Sequence, residues 1–272
     1  MSGAPVIVAC LKWVAHPGEP NDERFAGMSP ADQSALEFAL QQAAAFGVGA
    51  IAITVGPAGA DKVLRDALAA GVTRAVRIHT ERPLMSNDVA AAIAAIVADA
   101  SWVWCGDYSL DRGTGSVPAF LAGRFAAQQA LGIIAVESGG AGGNHGVITA
   151  TRRLDGGRRE LLEVAAPAVI SVEGATAHLR RAGLAAVRAA GKATIEVVQP
   201  STPAEPYHAV VHPYRPRARA LAAPAGDLAL DRLRALTDAG AATAARGEQV
   251  TLEPAAAAAK IIDALKTWGY LD

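Results

Sequence analysis

Trp102-Val103-Trp104-Cys105-Gly106-Asp107-Tyr108-Ser109-Leu110-Asp111-Arg112-Gly113-Thr114-Gly115-Ser116-Val117-Pro118 is the stretch that decides the fold. Four apolar residues with the length and β-branched or aromatic character of a buried strand run directly into a glycine-rich loop, and a helical pattern opens at Val117. A strand that feeds a helix through such a loop is the repeating unit of a parallel sheet with crossover helices. The same alternation extends toward the amino terminus and one step beyond the loop. Strand patterns fall at 6–11, 50–55, 74–78, 102–105 and 132–136, with helical patterns at 31–45, 61–70, 87–98 and 117–128 between them. That order predicts an α/β fold with a doubly wound, mostly parallel sheet. Within the first helical pattern, Leu36, Ala39, Leu40 and Ala43 form one apolar stripe. Ser29-Pro30-Ala31-Asp32 suits its start: serine caps, proline tolerates the first turn, and an acid three residues after the serine can bond back to the cap.

From residue 147 the pattern changes to closely spaced strands, 147–153 and 160–164, joined by Asp155-Gly156-Gly157, which predicts a β-hairpin. A further strand is expected at 168–172. Prolines at 200, 203, 206, 213 and 216 then mark 199–226 as an extended arm, and helical patterns at 228–239 and 254–268 follow it. The expected organisation is an α/β nucleotide-binding domain over 1–198 and a carboxyl-terminal arm with helices over 199–272.

Hydrophobic residues make up 51% of the 272 residues, charged residues 19%, and the formal net charge is −1. This balance gives no electrostatic case for nucleic acid or for an acidic membrane surface. No run approaches the roughly 20 apolar residues of a membrane span, and no signal sequence is read at the amino terminus, so a cytoplasmic protein without direct membrane insertion is expected. The two cysteines, Cys10 and Cys105, lie in separate apolar runs with neither CxxC nor Cys/His spacing. Neither a metal site nor a disulfide framework follows from them. The six histidines form no ligand spacing, and no nucleophile–base set or paired carboxylates can be assembled.

In open α/β sheets ligands gather beyond the carboxyl ends of the strands. The segment 106–117 is therefore the first candidate site: glycines ahead of a helix leave backbone amides for an anion, and Thr114 or Ser116 can add a hydroxyl. The same residues also admit an ordinary glycine-rich turn with a serine cap. The loop lacks the lysine of GxxxxGK[ST] and follows the fourth strand rather than opening the first unit as GxGxxG does, so it is neither a P-loop nor a dinucleotide fingerprint. Cys10-Leu11-Lys12 and Val55-Gly56-Pro57 end the first two strands and face the same edge, with small groups that permit close approach of an adenosine.

Taken in order, these segments resemble the electron transfer flavoprotein beta (FixA) family along nearly the whole chain. The residues that carry the resemblance are Val6-Ile7-Val8-Ala9-Cys10-Leu11-Lys12-Trp13-Val14, Met28-Ser29-Pro30-Ala31-Asp32 with its helix, and Thr54-Val55-Gly56-Pro57. They continue through Leu64-Arg65-Asp66-Ala67-Leu68-Ala69-Ala70-Gly71, the loop 106–123, Leu154-Asp155-Gly156-Gly157, Ala166-Pro167-Ala168 and Lys192-Ala193-Thr194-Ile195-Glu196. The resemblance implies an adenine-nucleotide-hydrolase-like fold and a heterodimer with an electron transfer flavoprotein alpha subunit that holds most of the FAD. It implies AMP, or a second FAD, in this subunit, and exchange of electrons with a flavoprotein dehydrogenase by a carrier rather than a catalyst. By position, the nucleotide falls to Cys10, Leu11, Ser29, Pro30, Ala31, Asp32, Val55, Gly106, Asp107, Asp111, Gly113, Thr114, Gly115, Ser116 and Val117. It also implies that a loop docks the dehydrogenase through an aliphatic anchor, here Leu184. Without the resemblance, Leu184 and Val187 read as one face of an amphipathic helix packed on the core.

Two positions depart from the family pattern close to where the partner's flavin is expected. Arg153 stands where many relatives carry a glutamate, and His16 lies where some carry an aromatic. Such departures are compatible with a dedicated partner system, for example an actinobacterial peptide-cofactor pathway of the mycofactocin kind. The competing readings from other classes are a stand-alone ATP- or AMP-binding regulator of the universal-stress kind and an adenylyl-transferring enzyme on the same fold.

Overall fold

The computed structural model describes residues 4–15, 23–82, 84–138, 146–200, 224, 226–236 and 250–271. The first βα unit sets the pattern. Strand β1 (Ile7–Cys10) is buried along its whole length, and α1 (Pro30–Phe46) starts where the Ser29 hydroxyl accepts a hydrogen bond from the Asp32 amide at 3.0 Å. The helix stops at Gly47, whose φ of 65° places it in the left-handed region that glycine enters without penalty. There follow β2 (Ala50–Gly56), α2 (Asp61–Ala70), β3 (Arg74–His79), α3 (Ser86–Ile96), β4 (Trp102–Gly106) and α4 (Val117–Phe125). The hairpin, a returning strand and an edge strand complete the sheet: β5 (Gln128–Ser138), β6 (Val147–Arg153), β7 (Arg159–Ala165), β8 (Ala168–Val172), α5 (Leu184–Lys192) and β9 (Glu196–Val198).

The strand order is β7-β6-β5-β8-β4-β1-β2-β3-β9. From β5 through β8 and on to β9 every neighbouring pair is parallel, and only β5–β6 and β6–β7 are antiparallel. The chain runs outward from β1 to β2 and β3, then returns to place β4 on the other side of β1. The sheet is thus doubly wound, with its topological switch between β1 and β4. Helices α1 and α2 cover one face, over Ile7, Ala9, Trp102, Trp104 and Ile170; Val8, Cys10, Val103, Cys105 and Val169 face the other side with α3 and α4. This alternation is the period of two expected of strands buried on both faces. Trp104 is the keystone of the first face: it stacks on Phe38 at 5.4 Å between centroids, and its indole N–H donates to Gln42 Oε1 at 2.8 Å.

Three differences from the sequence reading go beyond a shift of one or two residues at an element's end. The helix expected over 117–128 ends at Phe125, because Ala126 takes a left-handed conformation (φ 49°) and its amide closes onto Ala122 and Gly123. The strand expected at 132–136 is correspondingly longer and begins at Gln128. It changes partner at a bulge around Gly132 (φ 67°), pairing with β8 before it and mainly with β6 after it. Glu196–Val198 adds an unexpected edge strand beside β3, joined to it by the bidentate Arg74–Glu196 pair at 2.9 and 3.0 Å. The hairpin forms where its turn residues predict, with Gly156 and Gly157 both at positive φ.

The chain divides into two compact units, Met1–Ala209 and Val210–Asp272. Within the second, α6 (Ala229–Leu236) and α7 (Pro254–Thr267) are described, and the latter carries the exposed Ile261 and Ile262. Nearly all of the proposed arm lies outside the described residues, as does His16. Among the described residues, no helix is long and apolar enough to cross a membrane.

Candidate nucleotide site

A cleft of about 490 Å³ opens at the carboxyl edge of the parallel strands, over the β1/β4 switch. Its floor and walls come from the ends of four strands: Cys10 and Leu11, Val55 and Gly56, Thr80 and Arg82, Cys105 and Gly106. The loop after β4 covers one side with Asp111, Thr114, Gly115, Ser116 and Val117. Ten of the residues expected from the sequence are therefore brought together here, Asp32 among them. Ser29, Pro30, Ala31, Asp107 and Gly113 do not line the cleft. Ser29 and Ala31 are fully buried under it, and Pro30 borders a separate shallow depression with Gln33 and His178.

Asp32 joins three elements. Its carboxylate accepts from the Lys12 amide at 3.0 Å, and also from the Ser29 hydroxyl and the Gly106 backbone. The acid at the third helical position thus reaches across to the ends of β1 and β4. Burial dominates its electrostatics and raises its pKa to about 7, against the lowering effect of those hydrogen bonds. Gly106 is glycine for a steric reason: an added Cβ would lie 2.6 Å from Asp32 Oδ1.

The loop between β4 and α4 is shaped by Gly113 (φ 63°) and Gly115 (φ 56°). A Cβ on Gly115 would come within 2.1 Å of the Asp107 carbonyl oxygen, so this turn excludes every other residue. Ser116 precedes α4 without capping it, its hydroxyl donating instead to Thr114 Oγ1 at 3.2 Å. Among the described residues, the first turn of α4, in which Pro118 has no amide hydrogen, therefore receives no side-chain cap from its N-terminal flank. Asp107 Oδ1 is buried without a hydrogen-bond partner among the described residues, and burial together with the nearby Glu173 raises the pKa of this carboxyl.

Three cations border the same cleft: Lys12 and Arg112, which lie in segments the sequence offered without being named as ligands, and Arg82, which lies in none of them. Lys12 Nζ binds Asp111 at 2.6 and 2.7 Å and Ser109 at 3.3 Å, and thereby ties the loop to the end of β1. Burial would raise Asp111, but the bonds from Lys12 and Ser109 outweigh it and hold its pKa down to about 2. Arg112 donates to the Leu84 carbonyl at 2.8 Å across the rim. The signal for Lys12 was present in the sequence as a lone lysine directly after a strand. Arg112 lay within the candidate loop, whereas Arg82 carried no such signal, because only the folded sheet brings the end of β3 beside the loop.

A family model described as the electron transfer flavoprotein domain matches residues 22–203, well over half of the chain. The chain belongs to the electron transfer flavoprotein family. It is also similar to protein FixA of Bradyrhizobium diazoefficiens, with 30% identity over 178 residues that cover 62% of this chain and 60% of that protein. The chain thus spans less than two thirds of the length of this curated relative. Both matches agree with the beta or FixA-type assignment expected from the sequence.

Two further positions expected from the resemblance lie away from the cleft lining. Arg153 ends β6, is largely exposed, and pairs with Glu173 at 2.7 Å, the same acid whose charge acts on Asp107. Leu184 opens α5 and is 67% exposed, with Val187 at 49%; within this helix only Ala190 is buried. The helix predicted by residue pattern is there, but these two apolar side chains do not pack on the core. The other end of α5 is fastened by Arg65, whose Nη1 donates to the carbonyls of Ala190, Gly191 and Ala193 at 2.8, 3.0 and 3.3 Å.

Proposed function

We propose that this chain is the beta-type subunit of a heterodimeric electron transfer flavoprotein and that its cleft holds AMP. The observation that carries the nucleotide reading is the uncapped start of α4 behind the obligate Gly115 turn, beside Lys12, Arg82 and Arg112. A helix start without a side-chain cap, a helix dipole and cations together suit a phosphate. The Cys10, Leu11, Val55 and Gly56 walls suit an adenosine, and about 490 Å³ fits a mononucleotide better than a whole FAD. In this role AMP fills and orders the switch point; the electron chemistry is supplied by FAD held mainly in the alpha partner. The chain contributes placement and docking rather than bond making.

Under this reading the second unit packs on the alpha subunit. Leu184 anchors a flavoprotein dehydrogenase, and Arg153 acts on the field around the partner's flavin through its pairing with Glu173. The complex is expected in the cytoplasm. Acid extraction of the purified protein followed by chromatography tests the nucleotide: AMP should be released near one per chain, and Gly115→Ala should release little. Release of FAD alone, or of no nucleotide from the folded wild type, would contradict the AMP assignment.

A further inference from the structure

Cys10 and Cys105 are far apart in sequence, yet they are register partners on the neighbouring parallel strands β1 and β4. Adjacent strands run about 4.8 Å apart, inside the roughly 4.4–6.8 Å between Cα atoms that a disulfide spans. Both side chains face the α3/α4 side, and both border the cleft at the topological switch. Both thiols are free, and they are the only two in the sequence. Each is largely buried, with 8% of Cys10 and 4% of Cys105 exposed, so reagents reach them through the cleft rather than across open surface.

We propose that Cys10 and Cys105 form a reversible dithiol/disulfide site in the cleft, oxidised by hydrogen peroxide and shielded when a nucleotide lies over it. The pairing stands on strand geometry; only the shielding rests on the proposed AMP reading. Hydrogen bonding to Cys10, followed by burial, pushes the Cys105 thiol well above its usual range. Cys10, the more exposed of the two sulfurs, meets the oxidant first. The Cys10 sulfur attacks one peroxide oxygen as its thiol proton leaves; the O–O bond breaks, and the departing hydroxide takes up that one proton and leaves as water, with Cys10 now a sulfenic acid. The Cys10 sulfenic acid is then attacked by the Cys105 sulfur: the S–S bond forms, the S–O bond breaks, and a second water leaves with the Cys105 proton. In total, two thiols lose two electrons and two protons, and one peroxide is reduced to two waters. In a reducing compartment such a bond is transient, as expected of a sensor rather than a staple.

The test uses the full chain together with its partner subunit, reduced and then treated with equimolar hydrogen peroxide with and without AMP. After separation from the partner under denaturing conditions, the intact mass of this chain should fall by two hydrogens, its titratable thiols should fall from two to none, and a phosphine reductant should restore both. A peptide map should join the fragments carrying Cys10 and Cys105. With Cys105→Ala, oxidation should stop at a Cys10 sulfenic acid that dimedone traps. Saturating AMP should slow alkylation of the reduced wild-type pair by on the order of tenfold. Two remaining thiols, over-oxidation of a single cysteine, or disulfide-linked dimers would each overturn the proposal. An internal disulfide whose formation and alkylation ignore AMP would uphold the redox pair while removing the AMP reading of the cleft.

Discussion

Asp32 is 5% exposed yet sits where three backbone segments meet, and its pKa of about 7 has a consequence for stability. A carboxyl whose folded value lies above its ordinary 3.8 keeps a proton in the folded chain that the unfolded chain has lost. Its contribution is fully present below about pH 4 and is lost as the pH rises through about 7. Asp32→Asn does not titrate. The stability of the wild type relative to Asp32→Asn should therefore fall between pH 4 and pH 8 by on the order of a few kcal/mol, since each tenfold change in proton affinity is worth about 1.4 kcal/mol. Urea unfolding of both proteins across that range measures the difference; a flat or rising difference would contradict the buried, proton-holding carboxyl. The sequence identified Asp32 as a helix-start acid and as a site residue by resemblance. It did not reveal the bonds to Lys12 and Gly106, because those come from strands that only the sheet brings beside α1. Cys10 and Cys105 escaped association for the same reason: their pairing is a matter of register, which no spacing between two isolated cysteines encodes.

At the scale of elements, the legible features were those whose signal is local. The Asp155-Gly156-Gly157 turn, the Ser29-Pro30 helix start and the glycine-rich loop before α4 each combine backbone requirements with the residue types that meet them. The illegible ones depended on a distant neighbour. An alanine- and glutamine-rich run after Phe125 reads as helix by composition, yet it enters the sheet because β8 offers an edge to pair with. For α5 the residue pattern gave the helix, while its orientation follows from the Arg65 clamp at its carboxyl end, which leaves Leu184 exposed. Leu184→Ala removes an exposed side chain and should change stability by less than about 0.5 kcal/mol. If α5 is the docking element, electron transfer from the cognate dehydrogenase should slow by roughly tenfold or more, with flavin content unchanged. Stopped-flow reduction of the purified heterodimer reads both quantities, and unaltered transfer would remove Leu184 from the interface.

For the whole molecule, the β-α alternation was sufficient to predict a doubly wound sheet, since buried parallel strands and crossover helices leave strong apolar periods. What it did not contain was the position of β8, which follows the hairpin in sequence but lies between β4 and β5, and so joins the hairpin to the parallel sheet as one layer. The same topology sets the switch point between β1 and β4, where the cleft, Asp32 and both cysteines lie. Family membership is shown, whereas the electron-transfer role, the heterodimer and its nucleotide are the reading that the family, the cleft and the exposed Leu184 support. Co-expression with a cognate alpha-type chain, followed by size-exclusion chromatography and cofactor analysis, tests this most directly. The account predicts a yellow one-to-one heterodimer containing FAD and AMP; a colourless homodimer of this chain that binds ATP and ignores the alpha-type chain would contradict it.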